Sequence, residues 1–146
     1  MSDGMIGQSI VDAIGDDLSK SFGSLPGSTG KGAGVFAEVA KTASIDSAGP
    51  YTGESYDAAA LIMLAMEKSK STKSNVFKAS VMDVANAPGE KIFPGELGKA
   101  LKLIQAGKDI DYVGATALEL VGAGESSGSF AEILIDNQKT NKVGYR

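Results

Sequence analysis

The sequence predicts an α/β chain, helix-rich with few strands, on three observations. Several stretches place apolar residues at helical spacing, the carboxy-terminal part changes to a two-residue alternation, and turns rich in Gly and Pro separate the segments. With 146 residues, 42% of them hydrophobic and 22% charged, the composition is that of a soluble globular protein able to close a core without cross-links.

Residues 5–22, "MIGQSIVDAIGDDLSKSF", read as an amphipathic helix with Ile6, Ile10, Ala13 and Ile14 on one side, followed by a short strand. Residues 23–34, "GSLPGSTGKGAG", hold five glycines and a proline and read as a loop. "GVFAEVAKTA" follows as a helix with Val35, Phe36, Val39 and Ala40 on its apolar side, ending in the polar turn "SIDSAGP". Residues 49–69, "GPYTGESYDAAALIMLAMEKS", are the strongest signal: a turn-forming Gly-Pro leads into a helix with no polar side chain on any face between 58 and 66. Lys68, Lys70 and Lys73 suit the negative end of its dipole.

"NVFKASVMDVANAPGE" reads as a helix burying Phe77, Val81 and Val84 and stopped at Ala87-Pro88-Gly89, because a residue before proline is pushed out of helical geometry. "GELGKALKLIQAGKD" repeats the pattern with Leu97, Leu101 and Ile104 inward, Lys99 and Lys102 outward, and Gly107 placed as a C-terminal cap. "ATALELV" and "SFAEILID" then read as strands, the second with Phe130, Glu132 and Leu134 on one face and Ala131, Ile133 and Ile135 on the other. "GAGESSG" reverses the chain between them, and "KVGYR" forms a last short strand.

Composition excludes several function classes. There is no Cys, hence no disulfide or thiolate nucleophile, and no His, the side chain best suited to proton transfer near neutral pH. A formal net charge of -4 argues against nucleic acid, which is held by Lys and Arg clusters. The longest apolar run is about half of what a bilayer crossing needs, and the opening residues carry neither a basic start nor an apolar signal core.

Motif tests point to no cofactor and no metal. "GSTGKG" fails as a phosphate loop, with Leu25 where a glycine is required and Gly32 where a Ser or Thr would hold magnesium. From Asp109, "DIDYVGATALEL" begins like a calcium loop, yet Val113 and Leu120 occupy ligand positions, so Asp109 and Asp111 read as turn residues. The paired carboxylates Asp16 with Asp17 and Asp109 with Asp111 read as surface turns, and the chain is not expected to be an enzyme.

Two segments, "GPYTGESYDAAALIMLAMEKSKST" and "ANAPGEKIFPGELGKALKLIQAGKDIDYVGAT", resemble the carboxy-terminal portion of the branched-chain amino-acid-binding proteins, periplasmic receptors of ABC transporters. The resemblance implies a partial type I periplasmic-binding-protein fold: residues 1–48 in the second lobe, 49–127 in the first, and 128–146 returning to the second. It implies a small amino acid or related carboxylate as ligand, an ABC permease as membrane partner, and a periplasmic location. "SDGMIGQSIVDAIGD" is similar to the family segment in which a strand ends at an acidic residue that receives the ligand's α-ammonium group and is followed by a glycine, which assigns ligand binding to Asp3, with Gly4 matching that glycine. The other reading of Asp3 is a solvated carboxylate near a chain end.

Tyr51 and Tyr56, beside the implied crossing between lobes, are assigned to packing. Two positions depart from the family: "VGAGESSG" lacks the usual Asp-x-x-Gly turn, and Ala117 stands where a glycine usually follows "GAT". The resemblance also implies that the remainder of the first lobe, the residues holding the ligand carboxylate and any signal peptide lie outside these residues. The all-apolar helix must then find a cover, because each exposed Leu, Ile or Met forgoes about 1.5–3 kcal/mol. The alternative to a receptor is a non-binding interaction protein that forms a homo-oligomer through the apolar helix at 56–67.

Overall fold

The computed structural model describes residues 1, 3–86, 88–122 and 124–146. Along the chain run α1 (Gln8–Ile14), β1 (Phe22–Pro26), α2 (Lys31–Thr42), α3 (Thr52–Ser69), α4 (Ser74–Phe77), α5 (Val81–Ala85), β2 (Glu90–Ile92), α6 (Leu97–Gln105), β3 (Ile110–Tyr112), β4 (Glu119–Gly122), β5 (Glu125–Ser127), β6 (Phe130–Asp136) and β7 (Lys139–Tyr145). Helices dominate as expected, but the strands among the described residues are several and short rather than few. The chain divides into two compact units, one of Met1–Ser28 with Ser129–Arg146 and one of Thr29–Gly128.

The first unit is built on a three-stranded antiparallel sheet in the order β1-β6-β7. Strand β6 keeps the expected alternation, with Ala131, Ile133 and Ile135 buried on the inner face together with Val11 of α1. The β6–β7 hairpin turns through Asn137 and Gln138, both at positive φ (51° and 56°), as the tight turns that match strand twist require. The Gln8 side chain covers the start of the outer edge of β7, donating to the Gln138 carbonyl and accepting from the Thr140 N–H.

Two expectations are corrected in this unit. The single helix over residues 5–22 is instead α1 flanked by 3-10 turns at Asp3–Met5 and Gly15–Leu18. Gly15, at φ 75°, ends α1, and its inward residue is Val11, while Ile14 is half exposed. The loop at 23–34 is in part strand, because Phe22–Pro26 pairs with β6 in the register Phe22↔Leu134 to Pro26↔Phe130. Gly23 serves close packing here: a Cβ would meet the Met1 carbonyl oxygen at 2.6 Å and Ile6 Cδ1 at 2.8 Å.

The second unit is organised around α3. Its buried residues, Asp57, Ala60, Leu61, Leu64 and Ala65, recur at helical spacing and pack with Val84 and Ala85 of α5, Ala100 and Ile104 of α6, and Ile92, Ile110 and Tyr112 of the parallel pair β2–β3. The opposite side is open: Ala58 and Ala59 are exposed, and Ile62 and Met63 are 43% and 48% exposed. A helix without a polar residue between 58 and 66 is therefore covered on one face by its own chain.

Helix α6 ends as anticipated, with Gly107 at φ 70° and the Gly107 and Lys108 N–H groups donating to the Ile104 and Leu103 carbonyls. The helix expected from Asn75 is broken into α4, a 3-10 turn at Lys78–Ser80, and α5. Ala87 of its expected stop lies outside the described residues. The strand expected at "ATALELV" begins only at Glu119, where the Asn86 side chain bonds both the N–H and the carbonyl of Leu120 and so takes the place of a neighbouring strand. The turn between β4 and β5 includes Ala123, which also lies outside the described residues. No described helix is long and apolar enough to cross a membrane.

Candidate functional site

The residues assigned to ligand binding fall in the first unit. Asp3 and Gly4 open the 3-10 turn Asp3–Met5, which lies against β1, and the Met1 α-ammonium donates to the Phe22 carbonyl at 2.7 Å. The Asp3 carboxylate lies outside the described residues. Gly4 is exposed, and a Cβ there would meet nothing within 4 Å, so close packing does not demand a glycine at that position. Beside this turn an open groove of about 710 Å³ runs over the outer face of the sheet. Phe22, Phe130, Leu134 and Val143 give it an apolar floor, and Glu132 ion-paired to Arg146 supplies the charge.

The second unit contains a site that sequence spacing did not single out. The Asp57 carboxylate, 1% exposed, accepts four hydrogen bonds: from the Tyr112 hydroxyl (2.9 Å), the Ala115 N–H (2.8 Å), the Thr116 N–H (2.9 Å) and the Thr116 Oγ1 (2.7 Å). Both oxygens are engaged, each by two neutral donors. Burial, then the nearby Asp57 charge and the hydrogen bond to it, push the Tyr112 phenol well above its usual range. With four donors on its two oxygens, Asp57 acts as a clamp on the turn after β3.

Glycines make this clamp possible. Gly114 sits at φ 63° against the Asp57 carboxylate, where any Cβ would collide, and a Cβ on Gly32 of α2 would run into the Gly114 carbonyl. Ala117 follows in the left-handed region at φ 54°, which gives a physical reason for the glycine expected there. The "YDA" and "DYVGAT" segments are thus two halves of one buried contact.

Tyr56 packs as expected, its ring 5.2 Å from that of Phe36 and its hydroxyl accepting from the Gly95 N–H. Tyr51 is 41% exposed, at φ 60° just before α3. Lys31 lies 4.4 Å over the Phe93 ring. The Phe93 N–H first, and then the charges of Lys99 and Lys31, hold the Glu96 carboxyl below its ordinary value. Asp109 is paired with Lys68 at 2.9 Å and Asp111 lies on β3, so the two do not form a cation loop. No group of three or more acidic residues among those described could hold a metal ion.

No protein-family model matches the chain. Over 67 residues, 46% of its length, it is 39% identical to the chemotactic signal transduction system substrate-binding protein BasB of Halobacterium salinarum, of which it covers 16%. In structure, 99% of the chain matches the leucine-binding protein LivK of Thermotoga maritima with a TM-score of 0.65 at 14% identity, covering 35% of that protein. The chain thus spans well under two thirds of either relative. It has a mixed α/β fold resembling part of a periplasmic binding protein, and 67 of its residues are similar to a substrate-binding protein.

Proposed function

We propose that residues 1–146 are the carboxy-terminal part of the solute-binding component of an ABC transporter, taking a branched-chain or related amino acid. The observation that carries the reading is the structural match over 99% of the chain to a leucine-binding protein. The sequence match to a substrate-binding protein supports it. In this reading residues 1–48 and 128–146 belong to the second lobe and 49–127 to the first. The lobes close on the ligand and the closed form docks on a membrane permease in the periplasm. Asp3, followed by Gly4, receives the ligand's ammonium group, and the protein performs no chemistry of its own.

Titration calorimetry on the protein made from the complete reading frame, with leucine, isoleucine and valine, tests this. The reading expects saturable binding of at least one of the three and a loss of roughly tenfold or more in affinity for Asp3→Asn, because one charge-assisted contact is worth about 1.5–3 kcal/mol. No binding of any of the three overturns it. A second reading, an interaction protein that oligomerises through the helix at 56–67, is favoured by the exposure of Ile62 and Met63. Light scattering on the 146-residue chain distinguishes the two.

A further inference from the structure

We infer that the end of the second unit where α3 and α6 terminate is a docking surface for an anionic phospholipid bilayer, whatever solute the protein takes. Segments 67–78 and 102–109 hold six of the chain's 14 basic residues and only two of its 18 acidic ones, so a strongly cationic end stands on a chain of net charge -4. The structure brings the two segments together. Lys68, in the last turn of α3, pairs at 2.9 Å with Asp109 beyond the end of α6, and Gln105, the last residue of α6, bonds the Glu67 carboxylate. Glu67 is also paired with Lys70, so both carboxylates are already matched by lysines of the same end. Lys73, Lys78, Lys102 and Lys108 remain, all exposed and in no ion pair among the described residues. Two helix ends together present about one negative charge, so four uncompensated ammonium groups exceed what the dipoles balance.

Residue type selects the partner. Every cation of this end is Lys, and the chain's single Arg, Arg146, belongs to the first unit. Lysine is a hydrated point charge on a flexible stem and suits a diffuse anionic layer, whereas the fixed carboxylates of a protein partner are held best by the Arg fork. A flat surface meets this end alone, while a polyanion long enough to wrap the chain also meets its excess of carboxylates. Val76 on α4, 42% exposed between Lys73 and Lys78, adds an apolar side chain for the level where headgroups meet acyl chains. Exposed Thr72, Ser74 and Asn75 beside it supply hydrogen-bond donors for phosphate oxygens.

Vesicle flotation reads the docking directly. The 146-residue chain is mixed with vesicles of phosphatidylcholine alone or of phosphatidylcholine with phosphatidylglycerol. The expected result is partitioning onto the anionic vesicles only, weakening as salt rises and reduced roughly tenfold or more by Lys73→Gln combined with Lys78→Gln, since each ammonium near an anionic surface contributes roughly fivefold. Lys139→Gln combined with Lys142→Gln, on β7 of the first unit, removes the same charge and is expected to leave the partitioning within about twofold. The chain has no Trp, so Val76→Trp provides a single reporter whose emission is expected to move to shorter wavelength on the anionic vesicles. Equal partitioning onto the two kinds of vesicle, an equal loss from the β7 pair, or an unchanged Trp emission would each overturn the inference. So would binding to polyglutamate without binding to vesicles, which would make the partner an acidic protein.

Discussion

Asp57 shows how a single residue sets the geometry of a whole unit. Its four donors come from residues 55 to 59 positions further along the chain, so no local spacing betrays the contact. A lone carboxylate at the start of an apolar helical run was the available signal. Asp57→Ala leaves the Tyr112 hydroxyl and the Ala115 and Thr116 N–H groups without their acceptor, and the expected loss of stability is on the order of 3 kcal/mol by urea unfolding. The pH dependence follows from Tyr112. Its proton is held more tightly in the folded state than in the unfolded one, so its contribution is complete below the unfolded phenol's value, about 10, and is lost as pH rises beyond it. In an absorbance titration one phenolate should therefore appear only together with alkaline unfolding, and Tyr112→Phe should abolish that step. At Ala117, held at φ 54°, substitution by glycine relieves left-handed strain and should raise stability by up to about 1 kcal/mol in the same unfolding assay.

At the scale of elements, helices with a clear period were legible and very short or composite ones were not. Helices α2 and α6 and strand β6 follow their apolar pattern, α3 forms where an all-apolar run placed a helix, and the Gly107 cap falls where it was expected. A short strand was expected after the first helix, but the extent of β1 to Pro26 was hidden because Gly23 and Pro26 read as turn residues, whereas pairing with β6 and the close approach of Met1 and Ile6 decide its conformation. Strands β2 and β3 are three residues each, too short to show a period, and exist through pairing with one another. Residues 115–117 resist the strand expected of them because Asp57 ties Ala115 and Thr116 into a turn.

For the whole molecule, the resemblance in "YDAAALIMLAM" and "GKDIDYVGAT" was legible because those segments meet at the Asp57 clamp. The assigned ligand residues were not resolved in the same way, since the Asp3 carboxylate falls outside the described residues. The central physical claim concerns α3, closed on one side by α5, α6 and the β2–β3 pair and open on the other. Urea unfolding of Leu64→Ala and Ile62→Ala in the 146-residue chain tests it most directly. The account predicts a loss of about 2–5 kcal/mol for Leu64→Ala and of about 0.5 kcal/mol or less for Ile62→Ala. Comparable losses at both positions would contradict it, because they would mean that the chain by itself covers the helix on every side.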